Sequence, residues 1–203
     1  TVALLAAALT VTSPFFLMNS GSLLSHPLGL VLSSAFVLCW IDSFVEPLSG
    51  WTWLPTLTAG ASLGLLALSR PFTALAVSLP FAFHGVYLFF RGGKAVRGRL
   101  LLLAGIALAI SALHFGWQYA VTGDPLLNPY TLWWSYDKIG FGPGIGRIEG
   151  GHNLNQAWVN TRFNIYVGRF DLFGWGGCSL IFLPFGLIAA LRDRNARALF
   201  PIG

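Results

Sequence analysis

The chain has 203 residues, of which 55% are hydrophobic and 9% charged, with a formal net charge of +5. A soluble globular domain carries about 25% charged residues, so this composition excludes one and points to a polytopic membrane protein. The basic residues fall between long apolar runs and form no stripe, which reads as topology signals and excludes nucleic acid as a partner.

A bilayer core takes about 20 apolar residues per helix. Apolar runs of that length predict an all-α bundle of about six transmembrane spans in a single membrane domain, residues 1–203. In chain order they are 1–18, 23–41, 52–69, 71–90, 100–121 and 172–191, with a further run starting at Leu199. Pro14, Pro80 and Pro184 interrupt three of them, which membrane helices tolerate because neighbours satisfy the freed backbone groups. The first run begins "TVALLAAALT" without an initiator Met or a basic n-region, a poor fit to a signal peptide. With another apolar run opening at "ALFPIG", the expectation is a piece of a longer membrane protein.

At the mouth of the second span stands His26, in "SGSLLSHPLGL". It is either a histidine hydrogen-bonded at a helix start or a site residue. The loop 42–51 carries Asp42 and Glu46 and no basic residue. Between the third and fourth spans, "LALSRPF" pins Arg70 before a proline, where it either snorkels to headgroups or holds an anion. The next loop, "RGGKAVRGR", gathers Arg91, Lys94, Arg97 and Arg99, and "RDRNAR" adds Arg192, Arg194 and Arg197 after the sixth span. The positive-inside rule makes both cytoplasmic. Counting spans then puts residues 19–25, the turn at Ser69 to Pro71 and the long segment 122–171 on the outer side. His114, inside the fifth span, reads as a core histidine. Cys39 and Cys178 lie in apolar runs and read as packing residues.

Segment 122–171 holds the least membrane-like stretch, "WWSYDKIGFGPGIGRIEGGHNLNQ". Loops this long are functional or disordered, and Tyr130, Trp133, Trp134, Tyr136, Phe141 and Trp158 argue for order. Asp137, Lys138, Arg147, His152, Asn155 and Gln156 are either solvated surface or the lining of a site. The glycines of "GFGPGIG" repeat every second residue, so no dinucleotide fingerprint fits, and no phosphate-loop motif occurs. His152 has no partner ligands at metal-site spacing, and no metal or cofactor is expected. Ser25 beside His26 is no catalytic pair, since neighbours on a helix point apart.

The segments "SPFFLMNSGSLLSHPLGLVL", "AGASLGLLALSRPFTAL", "YAVTGDPLLNPYTLWWSYDKIGFGPGIG" and "GHNLNQAWVNTRFNIYVGRFDLFGWG", in this order, resemble the bacterial glycosyltransferase C superfamily, in the branch of protein O-mannosyltransferases and lipid A aminoarabinose transferase. The resemblance implies a multi-pass protein of the bacterial plasma membrane. It would move a sugar from a polyprenyl-phosphate donor to an acceptor on the extracytoplasmic side. Arg70 matches a position where relatives carry lysine or arginine, which implies a grip on the lipid phosphate. His26 stands near a position where relatives carry an acidic residue, leaving it a contact to acceptor or phosphate. Asp137 and Lys138 with the glycine run resemble a segment of one prokaryotic subgroup, whose backbone amides would approach sugar or phosphate. The family's catalytic acid lies in a first outer loop that this sequence does not contain, so it is expected upstream. His26, Arg70 and the loop 137–156, His152 included, are expected to converge over the donor. The rival expectation is a transporter or flippase for a lipid-linked or small anionic substrate.

Overall fold

A computed structural model describes residues 2–22, 25–46, 53–138 and 140–192. Among them the regular structure is all helical, without a β-strand: α1 (Val2–Val11), α2 (Pro14–Ser20), α3 (His26–Phe44), α4 (Trp53–Ser69), α5 (Pro71–Arg91), α6 (Lys94–Thr122), α7 (Tyr130–Trp133), α8 (Leu154–Asp171) and α9 (Phe182–Arg192). Three described helices, α3, α5 and α6, are long and apolar enough to cross a membrane. The shorter apolar α4 has 17 residues, at the lower limit for a span.

Two of the six expected spans take another form. The run 1–18 divides into α1 and α2, bent by 56°. Pro14 explains the break. It opens α2 at N1, and the preceding Ser13 takes an extended conformation and caps the new helix, its Oγ accepting from Phe16 N at 3.3 Å. The run 172–191 is helical only from Phe182. Residues 172–181 form turns, in which Gly174, Gly176 and Gly177 adopt positive φ. The long segment 122–171 also differs from a loop, because α7 and the 18-residue α8 lie within it. Asn153 starts α8 by accepting from Gln156 N at 2.9 Å. Arg194, Arg197 and the run from Leu199 lie outside the described residues.

The chain divides into two compact units, Thr1–Gly21 with Phe115–Phe182, and Ser22–His114 with Leu183–Gly203. In the second unit α3 buries Leu32, Phe36 and Trp40 at four-residue intervals, a single stripe of a helix. Phe36 and Trp40 meet Phe81 of α5 edge-on, with ring centroids 5.1 and 5.5 Å apart. Two buried polar pairs tie α3 to its neighbours: Trp40 Nε1 donates to His84 Nδ1 of α5 at 3.2 Å, and Thr56 Oγ1 of α4 donates to Ser43 Oγ at 3.2 Å. Outward faces carry exposed Leu38, Phe83, Phe90 and Leu108. Polar pairs inside and bulky apolar side chains outside suit a unit whose solvent is lipid.

The close approach of α6 to α4 depends on Gly60 and Gly64, a small-xxx-small spacing. A Cβ on Gly60 would stand 2.9 Å from the Leu103 carbonyl oxygen, and one on Gly64 2.7 Å from Ile110 Cβ.

In the first unit, Ser13 Oγ donates to the Leu172 carbonyl, so the bend between α1 and α2 is fastened to the turn after α8. The stretch from Tyr136 to His152 folds on itself. Gly142 N donates to His152 O at 2.8 Å, His152 N to Ile145 O at 2.7 Å and Gly146 N to Tyr136 O at 2.8 Å. Gly151 makes this possible: its φ is +78°, and a Cβ there would collide with the Gly142 carbonyl.

Candidate functional site

Arg70 is the single residue between α4 and α5. Its N–H completes the last turn of α4 on Leu66 O at 2.7 Å, and its carbonyl accepts the first helical bond of α5 from Ala74 N at 3.0 Å. Pro71 sets this geometry, since a residue before proline is driven out of the helical region. Arg70 has φ −148° and ψ 75°, and Pro71 starts the next helix at once. A helical hairpin with no loop is the result, and it fixes the root of the arginine side chain.

The guanidinium lies against the start of α3, where Arg70 Nη1 donates to His26 Nδ1 at 2.5 Å. Arginine has no acceptor, so this bond requires the Nδ1 lone pair and puts the imidazole proton on Nε2. Gly29, one turn into α3, makes room for the arginine stem: a Cβ there would stand 3.2 Å from Arg70 Cδ and 3.8 Å from Leu66 Cδ1. Leu66, fully buried, closes the floor.

Two helix N-termini meet at this point. Both α3 and α5 carry a proline in the first turn, and in neither does the side chain of the N-cap residue, Ser25 or Arg70, bond to the first turn. The positive ends of both macrodipoles therefore favour an anion at this point. The guanidinium adds five N–H donors, of which His26 takes one. The acidic residues in the described part of this unit, Asp42 and Glu46, stand at the far end of α3, in its last turn and just past it. Asp42 is about 24 Å from His26 along the helix axis. The arrangement is cationic, donor-rich and half-buried, which suits a phosphate monoester or diester.

His26 and Arg70, 44 positions apart, are thus brought into contact. Asp137, Lys138 and His152 belong to the other compact unit. There Asp137 and Lys138 expose their side chains, while their N–H groups donate to Trp134 O and Tyr136 O. His152 stacks on Phe141 with ring centroids 5.2 Å apart, and its buried Nε2 has no hydrogen-bond partner among the described residues. Arg147 packs over the Tyr136 ring, and its Nε donates to the hydroxyl at 2.8 Å. Gln156 Nε2 donates to Asn160 Oδ1 within α8. His114 is half-buried on α6.

Sequence reasoning missed Gly29 and His84. Gly29 had a signal, being the small residue one helical turn after His26. His84 had only its presence in an apolar run, and its Trp40 partner lies on another helix.

No protein family, no curated protein and no solved structure matches this chain. Among the described residues no three His, Cys, Asp or Glu side chains gather as a metal site would require.

Proposed function

We propose that the chain belongs to a membrane glycosyltransferase that takes a sugar from a polyprenyl-phosphate donor and passes it to an acceptor on the outer side of the membrane. The observation that supports this is the contact of Arg70 with His26 between two helix N-termini whose N-cap side chains leave the first turn unbonded. In the proposed step the bond between the anomeric carbon and the phosphate oxygen breaks, and a bond to the acceptor oxygen forms. The acceptor's proton leaves to a base, and the phosphate stays on the lipid with an added negative charge. Arg70 and the first-turn N–H groups stabilise that charge as it develops. His26 acts as a positioning residue that holds the guanidinium fork toward the phosphate. Arginine suits the task because its charge survives the membrane edge and its fork matches two phosphate oxygens. Deprotonating the acceptor is not assigned to this pair, since Arg70 takes no proton and His26 Nδ1 is engaged.

The test is sugar release from a panel of polyprenyl-phosphate sugars by protein expressed from its complete gene, beside Arg70→Ala. Loss of one preorganised donor to a developing oxyanion costs about 100-fold or more in turnover, and the variant is expected to fall by that much. Polyprenyl phosphate that binds at Arg70 while no sugar is released from any donor would replace the transferase with a carrier of lipid-linked anions.

A further inference from the structure

The second unit has another feature, far from Arg70. A crevice of about 460 Å³ runs between α5 and α6, floored by Phe36, Trp40 and Phe81 and walled by Phe89, Leu101 and Ala104. Ser78 is the one hydroxyl-bearing residue in its lining. It opens outward, because Ala82, Val86, Phe89, Leu101, Ala104 and Leu108 on its walls are exposed. Along α5 it extends from Ser78 to Phe89, about 16 Å, and its near edge is about 12 Å from Arg70. It leads away from the proposed phosphate site toward the basic end of the unit.

At that end the chain turns through "RGGKAVRGR". Arg97 stands at the mouth of the crevice. Its guanidinium lies over the Phe89 ring, 5.8 Å from the centroid, and its Nε donates to Phe89 O at 2.7 Å, closing the C-terminus of α5. Arg99 does the same for α3, donating from Nη1 to Ser43 O at 2.7 Å. Arg91 and Lys94, both exposed, flank the turn. Among the described residues of α3, α5 and the turn into α6, the cations Arg91, Lys94, Arg97 and Arg99 outnumber the carboxylates Asp42 and Glu46 at this end, and each arginine has more N–H donors than the carbonyls above use.

We infer that this crevice holds one acyl chain of an anionic glycerophospholipid, with the lipid phosphate on Arg97 and its basic neighbours. The occupant is slender, because about 460 Å³ spread over a length of about 16 Å gives a mean cross-section of about 29 Å², close to that of one extended hydrocarbon chain. It is apolar along its length, because the lining offers no matching set of polar groups. It ends in an anion, because the mouth of the crevice is basic. This lipid is distinct from the sugar donor, and the inference stands whether or not the transferase reading holds.

The experiment is native mass spectrometry of the full chain in mild detergent, with dioleoyl phosphatidylglycerol or dioleoyl phosphatidylcholine added. One phosphatidylglycerol is expected to remain bound in preference to phosphatidylcholine. Arg97→Gln should weaken that retention about fivefold, the worth of one basic residue beside an anionic headgroup, and leave phosphatidylcholine unchanged. Ala104→Trp, placed on an exposed wall, should fill the crevice and abolish the preference. Ala82→Trp does the same from the opposite wall and serves if the first variant misfolds by circular dichroism. Equal retention of the two lipids would overturn the inference, as would phosphatidylglycerol binding that both tryptophans leave intact. A dimer mass that the tryptophans dissolve would make a second copy of the chain the occupant and overturn it equally.

Discussion

An arginine rooted in a loopless turn has little freedom in its backbone, so its aim is decided by what its side chain touches. For Arg70 those contacts are Gly29 below and His26 at the tip. Gly29→Ala would place a methyl 3.2 Å from Arg70 Cδ, and the stem must shift by a few tenths of an ångström or leave its rotamer. A displaced rotamer costs about 1 kcal/mol, so polyprenyl-phosphate affinity, read by titration in nanodiscs, is expected to fall about fivefold. Helix stability should hold or rise, since alanine is the better helix former. Unchanged affinity would show that the position of the guanidinium does not govern binding. His26 makes a sharper prediction through its acceptor role. His26→Ala removes the acceptor of a charged hydrogen bond, worth about 1.5 to 3 kcal/mol, and affinity should drop tenfold or more. His26→Asn offers an amide oxygen close to the place of Nδ1 and should recover most of it. If asparagine is as poor as alanine, the imidazole has a task other than aiming Arg70.

Between elements, the decisive contacts are backbone to backbone. Gly64 admits α6 so closely that an added Cβ would meet Ile110 Cβ at 2.7 Å and the Ala107 carbonyl oxygen at 3.0 Å. Neither can yield without moving the helix, so Gly64→Ala should destabilise the protein by about 1 to 3 kcal/mol, the usual cost of overpacking. Gly105, on α6 with nothing within 4 Å of its would-be Cβ, is the control: Gly105→Ala should stabilise by up to about 1 kcal/mol. Unfolding in mixed detergent and sodium dodecyl sulfate reads both, and equal effects would deny α4 and α6 their close packing. Helices of this kind were legible in the sequence wherever apolarity ran unbroken, and the expected 23–41, 71–90 and 100–121 fall within two or three residues of α3, α5 and the apolar part of α6 at most boundaries. Hydropathy failed where it carries no geometric information. It read 172–191 through glycines whose positive φ forbids a continuous helix. It also read α8 as loop, because Asn155, Gln156, Asn160, Arg162 and Asn164 dilute its apolar residues. The meeting of His26 with Arg70 was legible as an expected convergence of polar residues on one side of a membrane, and the slot at Gly29 only as a small residue one helical turn after His26, whose use is decided by tertiary packing.

At the scale of the molecule, α5 fixes a polarity that the proposed chemistry depends on. Arg70 stands at its start and Arg91 at its end, separated by 21 residues or about 31 Å, close to the thickness of the hydrocarbon core. The contact of Arg99 with Ser43 O brings the end of α3 to the basic side, and the contact of His26 with Arg70 brings its start to the other. The second unit therefore has one basic face rich in Lys and Arg, and an opposite face with the Arg70 site. The positive-inside rule assigns the basic face to the cytoplasm, so the Arg70 site should face outward. Single cysteines test this directly, after Cys39 and Cys178 are changed to serine. Ser69→Cys, exposed beside Arg70, should react with a membrane-impermeant maleimide on intact cells. Gly93→Cys, exposed in the basic turn with nothing within 4 Å of its would-be Cβ, should react only after the membrane is opened. The reverse pattern would turn the phosphate site toward the cytoplasm, where a transferase acting on the outer side of the membrane has no use for it.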